Sequence, residues 1–159
     1  MSDRPTENVW QYPRPPALVP CERRVRIELG GVLIADSVRA LRVLETSHPP
    51  TIYIPPQDVD PAHVTPSRAR STFCEWKGSA VYFDARAPGR REDAVAWAYP
   101  QPTAGFTALR DHLAFYPGRM DRCRLDEEVV RTQEGDFYGG WITDEIQGPF
   151  KGGPGTWGW

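Results

Sequence analysis

Arg23-Arg24-Val25-Arg26-Ile27-Glu28-Leu29-Gly30-Gly31-Val32-Leu33-Ile34-Ala35 decides the fold class. Val25, Ile27 and Leu29 alternate with Arg24, Arg26 and Glu28. That period of two belongs to a strand with one face buried and one wet. Gly30-Gly31 then predicts a tight hairpin turn, since glycine adopts positive φ at little cost. A second strand follows over Val32–Ala35, and Asp36-Ser37 marks the next turn.

The same reading carries outward. Arg39–Leu44 predicts a third strand, with a short helix as the alternative. Thr51–Ile54, Ser71–Trp76, Ser79–Phe83 and Ala94–Tyr99 read as strands, with Asp84–Asp93 a charged loop. Cys123–Leu125 and Val129–Arg131 predict a last hairpin about Asp126-Glu127. One short helix is predicted over Thr103–His112, capped by Thr103 with Phe106, Leu109 and Leu113 on one stripe. Strands do not alternate with full helices, which disfavours a doubly wound sheet. The expected fold is mainly β: one domain of short antiparallel strands forming a curled barrel or tent-like sheet pair, with one short helix.

The 159 residues suit a single core. Residues 1–20 read as an extended arm, because Pro13, Pro15, Pro16 and Pro20 exclude a regular helix. Residues 21–138 form the β body. Residues 139–159, rich in glycine and carrying Trp141, Phe150, Trp157 and Trp159, read as a tail on that body. Its roles stay open between lid, core cover and dimer arm.

A net charge of -2 argues against a general nucleic-acid scaffold, although Arg68, Arg70, Arg86, Arg90 and Arg91 form a local basic group. Cys21, Cys74 and Cys123 are odd in number and widely spaced, so a disulfide framework is not expected. No secretory leader or membrane-length apolar run is visible, so a cytoplasmic protein, monomeric or homodimeric, is expected. There is no Cys-x-x-Cys, His-x-His or His-Glu-x-x-His, and no metal or cofactor is expected. Asp58 and Asp60 are the loop carboxylates open to a hard cation, and Gly152-Gly153-Pro154-Gly155 lacks phosphate-loop spacing.

Chemistry concentrates in Phe73-Cys74-Glu75-Trp76-Lys77-Gly78. On a regular strand Cys74 and Trp76 share one face and Glu75 and Lys77 the other. A bend at Gly78 or a bulge would re-aim Lys77. Lys77 suits an anion clamp, a base or a Schiff-base amine, and Glu75 is its expected partner and a candidate ligand contact, the alternative being a surface ion pair between the two. Cys74 is a nucleophile or a small buried hydrophobe, with His48 the nearest base in prospect. Arg42 suits a carboxylate or phosphate, and Glu45 would orient it or act as a base. Tyr53, Trp97 and Tyr99 offer ring faces to a planar ligand, or fill the core.

Gly31-Val32-Leu33-Ile34-Ala35-Asp36-Ser37, Leu44-Glu45-Thr46, Pro50-Thr51-Ile52-Tyr53-Ile54-Pro55, Cys74-Glu75-Trp76-Lys77-Gly78 and Trp97-Ala98-Tyr99-Pro100-Gln101-Pro102 resemble the bacterial family of domains of unknown function numbered 427. Phe115-Tyr116 fits as well, and the resemblance covers about residues 23–130. The tail is similar to an extension of actinobacterial members. The resemblance implies a small, mostly β protein related to tent-like folds. It carries a nucleotidyltransferase-like label, but the Gly-Ser and paired-aspartate pattern of that activity is missing. The zinc of many tent-like relatives is not implied, because their two Cys-x-x-Cys pairs are missing too. The positions it carries over are Asp36, Ser37, Glu45, Tyr53, Cys74, Lys77, Trp97 and Tyr99. The function expected from all this is small-molecule binding in an aromatic, Lys/Glu/Arg-lined pocket. The alternatives are an enzyme acting on a small anionic metabolite through Lys77 or Cys74, and a structural or protein-interaction module.

Overall fold

Val25–Leu29 buries every second residue, as its alternation requires, and Val25, Ile27 and Leu29 are fully enclosed in the computed structural model. The structure describes residues 4–74, 76–134, 139–156 and 158–159. Its strands are β1 (Glu7–Asn8), β2 (Ala17–Pro20), β3 (Val25–Leu29), β4 (Val32–Ser37), β5 (Leu41–Leu44), β6 (Thr51–Tyr53), β7 (Val64–Pro66) and β8 (Thr72–Cys74). They continue as β9 (Gly78–Ala87), β10 (Arg90–Ala98), β11 (Ala114–Phe115), β12 (Arg122–Leu125), β13 (Glu128–Val129), β14 (Arg131–Thr132), β15 (Trp141–Ile142) and β16 (Ile146–Gln147).

They form five separate sheets. One runs β13-β12-β3-β4, a second β11-β10-β9-β7 with β8 also on β9, and a third β2-β5-β6. Two further pairs are β14-β15 and the parallel β1-β16. The mainly β expectation holds, but the curled barrel does not. Each ladder ends in unpaired edges, and the outer side of β4 meets only a single bridge, Ala35 to Val59. Among the described residues the sheets meet by packing rather than by continuous hydrogen bonding, so no sheet closes on itself and the architecture is not one sheet pair.

The expected helix is also absent, and no α-helix occurs among the described residues. Over Thr103–His112 the backbone makes successive short turns: Phe106 N donates to Thr103 O, Leu109 N to Phe106 O and His112 N to Leu109 O. Only Thr107–Leu109 is helical, of the tight 3₁₀ type, and Asp111 at φ 61° ends the run. The periodic Phe106, Leu109 and Leu113 are buried nonetheless. The stretch Asp84–Asp93 is not a loop. It extends β9 and β10 into a long ribbon whose charged side chains face water. Likewise Asp36 and Ser37 continue β4.

Two apolar clusters share the same strands. Ile52 and Ile54, Ala96 and Ala98, and Phe115 enter the larger cluster with Val25, Ile27, Leu29 and Trp141. Their neighbours Tyr53, Trp97, Tyr99 and Ala114 point the other way, into a smaller cluster with Val43, Phe106 and Leu109. Strand alternation makes one layer serve both cores. The C-terminal segment is part of this construction: Trp141 is fully buried, its backbone N donates to Pro50 O at 2.8 Å, and its Nε1 donates to Phe115 O at 3.2 Å. Trp10 meets Trp159 edge to face with centroids 5.0 Å apart. Trp157 lies outside the described residues.

Candidate functional site

The smaller cluster forms the floor of a cavity of about 400 Å³. Its walls come from β5, β6, β8, β9 and β10, and from the segments around His48, Gln133 and Lys151. Tyr53 and Trp97 cross edge to face at 6.3 Å, and the Trp97 Nε1 donates to the Tyr53 hydroxyl at 3.2 Å. Tyr116 stacks at a tilt on Trp97, 4.7 Å between centroids, and Tyr53 lies 6.3 Å from Tyr99. Such ring contacts add about 0.5–1.5 kcal/mol each beyond burial. Burial pushes the phenols of Tyr53 and Tyr99 well above their ordinary range, and that of Tyr116 to about 12, so all three present neutral hydroxyls. Gly139 lies flat on Trp97. A Cβ there would come 2.3 Å from the ring, so this approach needs glycine.

Lys77 reaches the cavity because the strand stops early. Strand β8 ends at Cys74, which pairs with Gly78, and Trp76 and Lys77 sit in the turn between β8 and β9. Gly78 holds φ +106°, and Lys77 O accepts from Thr103 N at 3.1 Å. Strand parity therefore fails here. Cys74, Trp76 and Lys77 all line the cavity, although an uninterrupted strand would send Lys77 to the opposite face. Lys77 is only 8% exposed, and its Nζ sits 5.9 Å from the centre of the Tyr99 ring. Among the described residues no carboxylate or carbonyl bonds to that amine. Glu75, its expected partner and a candidate ligand contact, lies outside the described residues.

The polar rim is tied together. Glu45 accepts from Arg14 Nε at 3.3 Å and lies 3.8 Å from His48 Nε2. Gln133 Nε2 faces His48 Nδ1 at 3.3 Å and donates to Lys151 O at 2.6 Å. Lys151 N donates to Ser47 O at 2.8 Å, and its Nζ to Trp159 O at 3.1 Å. Burial lowers the His48 pKa. Glu45 pulls it back up, but the charges of Lys151, Arg14 and Lys77 add to the lowering. The imidazole is therefore neutral at neutral pH.

Of the residues singled out in the sequence, Glu45, His48, Tyr53, Cys74, Lys77, Trp97 and Tyr99 border this one cavity. Arg42 does not. It neighbours Val43 on β5, so alternation turns it to the opposite face beside Ile52, where it bonds Glu7 at 2.7 Å. Burial pushes the Glu7 carboxyl up, but the bonds from Arg42 and Tyr12 outweigh it and hold the group below its ordinary value. Asp58 is clamped by Arg39 at 2.9 Å through both oxygens and accepts from Ser37 at 2.7 Å, which makes it a structural carboxylate. No cluster of three metal-ligating side chains occurs among the described residues. No described helix is long and apolar enough to cross a membrane.

Sequence reasoning missed Lys151, Gln133 and Tyr116. One signal was available for Lys151. The chain has seventeen arginines and two lysines, Lys77 and Lys151, and both lysines border the cavity while no arginine does.

The profile of a family described as a domain of unknown function (DUF427) matches residues 17–126. The chain belongs to this family. The matched span supplies every cavity residue up to Tyr116, whereas Gln133, Gly139 and Lys151 come from beyond it. No curated protein matches the chain.

Proposed function

We propose that this DUF427 protein binds a small, planar, anionic metabolite in the aromatic cavity. The observation that supports the reading is that Tyr53, Trp97, Tyr99 and Tyr116 border one space together with Lys77 and Lys151. A volume of about 400 Å³ suits one small ring system with a substituent. The rings supply apolar contact, neutral phenols supply hydrogen bonds, and Lys77 supplies a charge that no described carboxylate neutralises. The proposed setting is a bacterium of actinobacterial type, as the resemblance implies, with the protein cytoplasmic and monomeric or homodimeric, as the sequence reading has it.

Intrinsic fluorescence tests this, because Trp97 and Trp76 border the cavity. Benzoate is expected to change the emission saturably, and neutral benzamide to bind at least about tenfold more weakly. Equal response to the two, or none, defeats the reading. A second reading is an enzyme acting on such a ligand through Lys77 or Cys74, with Glu45 or His48 moving a proton. What favours it is that the Cys74 thiol borders the same space as His48 and Glu45.

A further inference from the structure

The distribution of cations in this chain is uneven in a chemically informative way. Every described ion pair that holds the fold uses arginine: Arg23 to Asp126, Glu128 and Glu145, Arg24 to Asp36, Arg39 to Asp58, Arg42 to Glu7. A planar guanidinium is also the better receptor for a carboxylate or phosphate, because its fork donates two parallel bonds. A cavity that needed only positive charge would be served by the residue used everywhere else. Instead it holds both lysines of the chain. What lysine can do and arginine cannot is give up its proton and attack as an amine.

The two lysines differ in their surroundings. The Lys151 ammonium is already engaged, donating to a Trp159 oxygen at 3.1 Å. Lys77 is buried, rises from a turn pinned through its own carbonyl, and has the Tyr99 ring as its described neighbour. Aromatic walls and limited water access favour a condensation that expels water.

We propose that Lys77 forms an imine with a carbonyl-bearing ligand, a 2-oxo acid or an aromatic aldehyde that carries an acidic group. This rests on the binding reading above and names its substrate class. In the step, the Lys77 ammonium releases a proton to solvent and its lone pair adds to the carbonyl carbon. The resulting carbinolamine loses its oxygen as water, leaving a C=N bond. No electrons are gained or lost.

The test uses the full-length protein with 4-formylbenzoate, which carries a carbonyl and a carboxylate on one ring, and cyanoborohydride to reduce any imine. Peptide mapping by mass spectrometry is expected to place the reduced adduct on Lys77, about tenfold above Lys151 and the N-terminal amine. Excess benzoate, which cannot condense, is expected to suppress it. Four results overturn the imine while leaving the binding reading standing, provided benzoate still perturbs the tryptophan emission. They are no adduct, adduct spread evenly over all amines, adduct concentrated on Lys151, or Lys77 adduct that benzoate does not suppress. No benzoate response together with no Lys77 adduct defeats both proposals. The Lys77→Arg variant, which keeps a cation but has no attacking amine, is expected to lose the adduct, and an adduct that persists at the same yield overturns the imine.

Discussion

Strands β5 and β6 have a cavity on each side, and the two differ in how charge is handled. On the face of Arg42 and Ile52, a depression of about 370 Å³ is bordered by Arg23, Arg42, Glu7 and Glu145. There the guanidinium groups are matched by carboxylates. Arg23, 8% exposed, meets Asp126 at 3.1 Å, Glu128 at 3.2 Å and Glu145 at 2.9 Å, and also donates to Leu125 O at 2.7 Å. On the face of Val43 and Tyr53, Lys77 is as deeply buried as Arg23 but has no described carboxylate. A cation whose field is cancelled inside the protein fastens one segment to another. On the proposed reading, one whose field no described carboxylate cancels is kept for the ligand.

The largest expected effect tests the fastening side. Replacing Arg23 by Met takes the guanidinium from three carboxylates, leaves the buried Glu145 without its described cation and frees the turn at Asp126 from the C-terminal segment. Chemical denaturation is expected to show a loss of about 3–5 kcal/mol, with benzoate affinity of the remaining folded protein unchanged. Stability unaffected by Arg23→Met would end the contrast.

Next comes the open side. Lys77→Met is expected to weaken benzoate binding about 10–100-fold, the worth of a charge-assisted bond, without lowering the midpoint of denaturation. An ammonium with no carboxylate partner among the described residues contributes no described ion pair to lose. A loss of stability like that of Arg23→Met would make Lys77 a structural residue and dissolve the comparison.

Arg42→Met is the smaller counterpart of the first change. Glu7 is partly solvated, so the expected cost is about 1 kcal/mol, and ligand affinity should stay unchanged because Arg42 faces away from the aromatic cavity. A loss of affinity would place Arg42 back in the ligand site.

The smallest effect is a pH dependence. The folded His48 pKa lies below the ordinary imidazole value of about 6.5. Folding therefore favours the neutral ring. Its contribution to stability is present above about pH 6.5 and is lost as pH falls toward the folded pKa. An anion in the cavity would raise that pKa. Benzoate affinity is therefore expected to rise a few-fold between about pH 8 and about pH 6, with His48→Gln flattening the profile in a titration calorimeter.

Much of this was legible residue by residue, and the misses share a cause. Alternation in Val25–Leu29 and the aromatic pair Trp97 and Tyr99 are local patterns, and local sterics alone fix which side each residue takes. Alternation alone would turn Lys77 away from Cys74, and it is the bend beside Gly78, the exception the sequence offered, that occurs: the chain turns at Trp76-Lys77 with Gly78 at positive φ. Alternation was informative for Arg42 only once the ligand side of β5 was known. The predicted helix over Thr103–His112 had the right buried residues and the wrong backbone, since burial is read from composition but hydrogen-bonding pattern is not.

The sequence by itself determined a mainly β chain, its aromatic strands, the absence of common metal and phosphate motifs, and a cluster of reactive groups near Lys77. It also contained a scarcity of lysine whose meaning needed coordinates. Only the tertiary structure decided that sheets stay separate, that β6, β10 and β11 are shared between two cores, and that Lys151 and Gln133 return to the cavity from the C-terminal segment. The physical reason is range. Side-chain direction within a strand is set by the nearest peptide units, whereas the placing of Lys77 and Lys151 on one cavity depends on packing of Trp141 and Gly139 against strands far away in the chain.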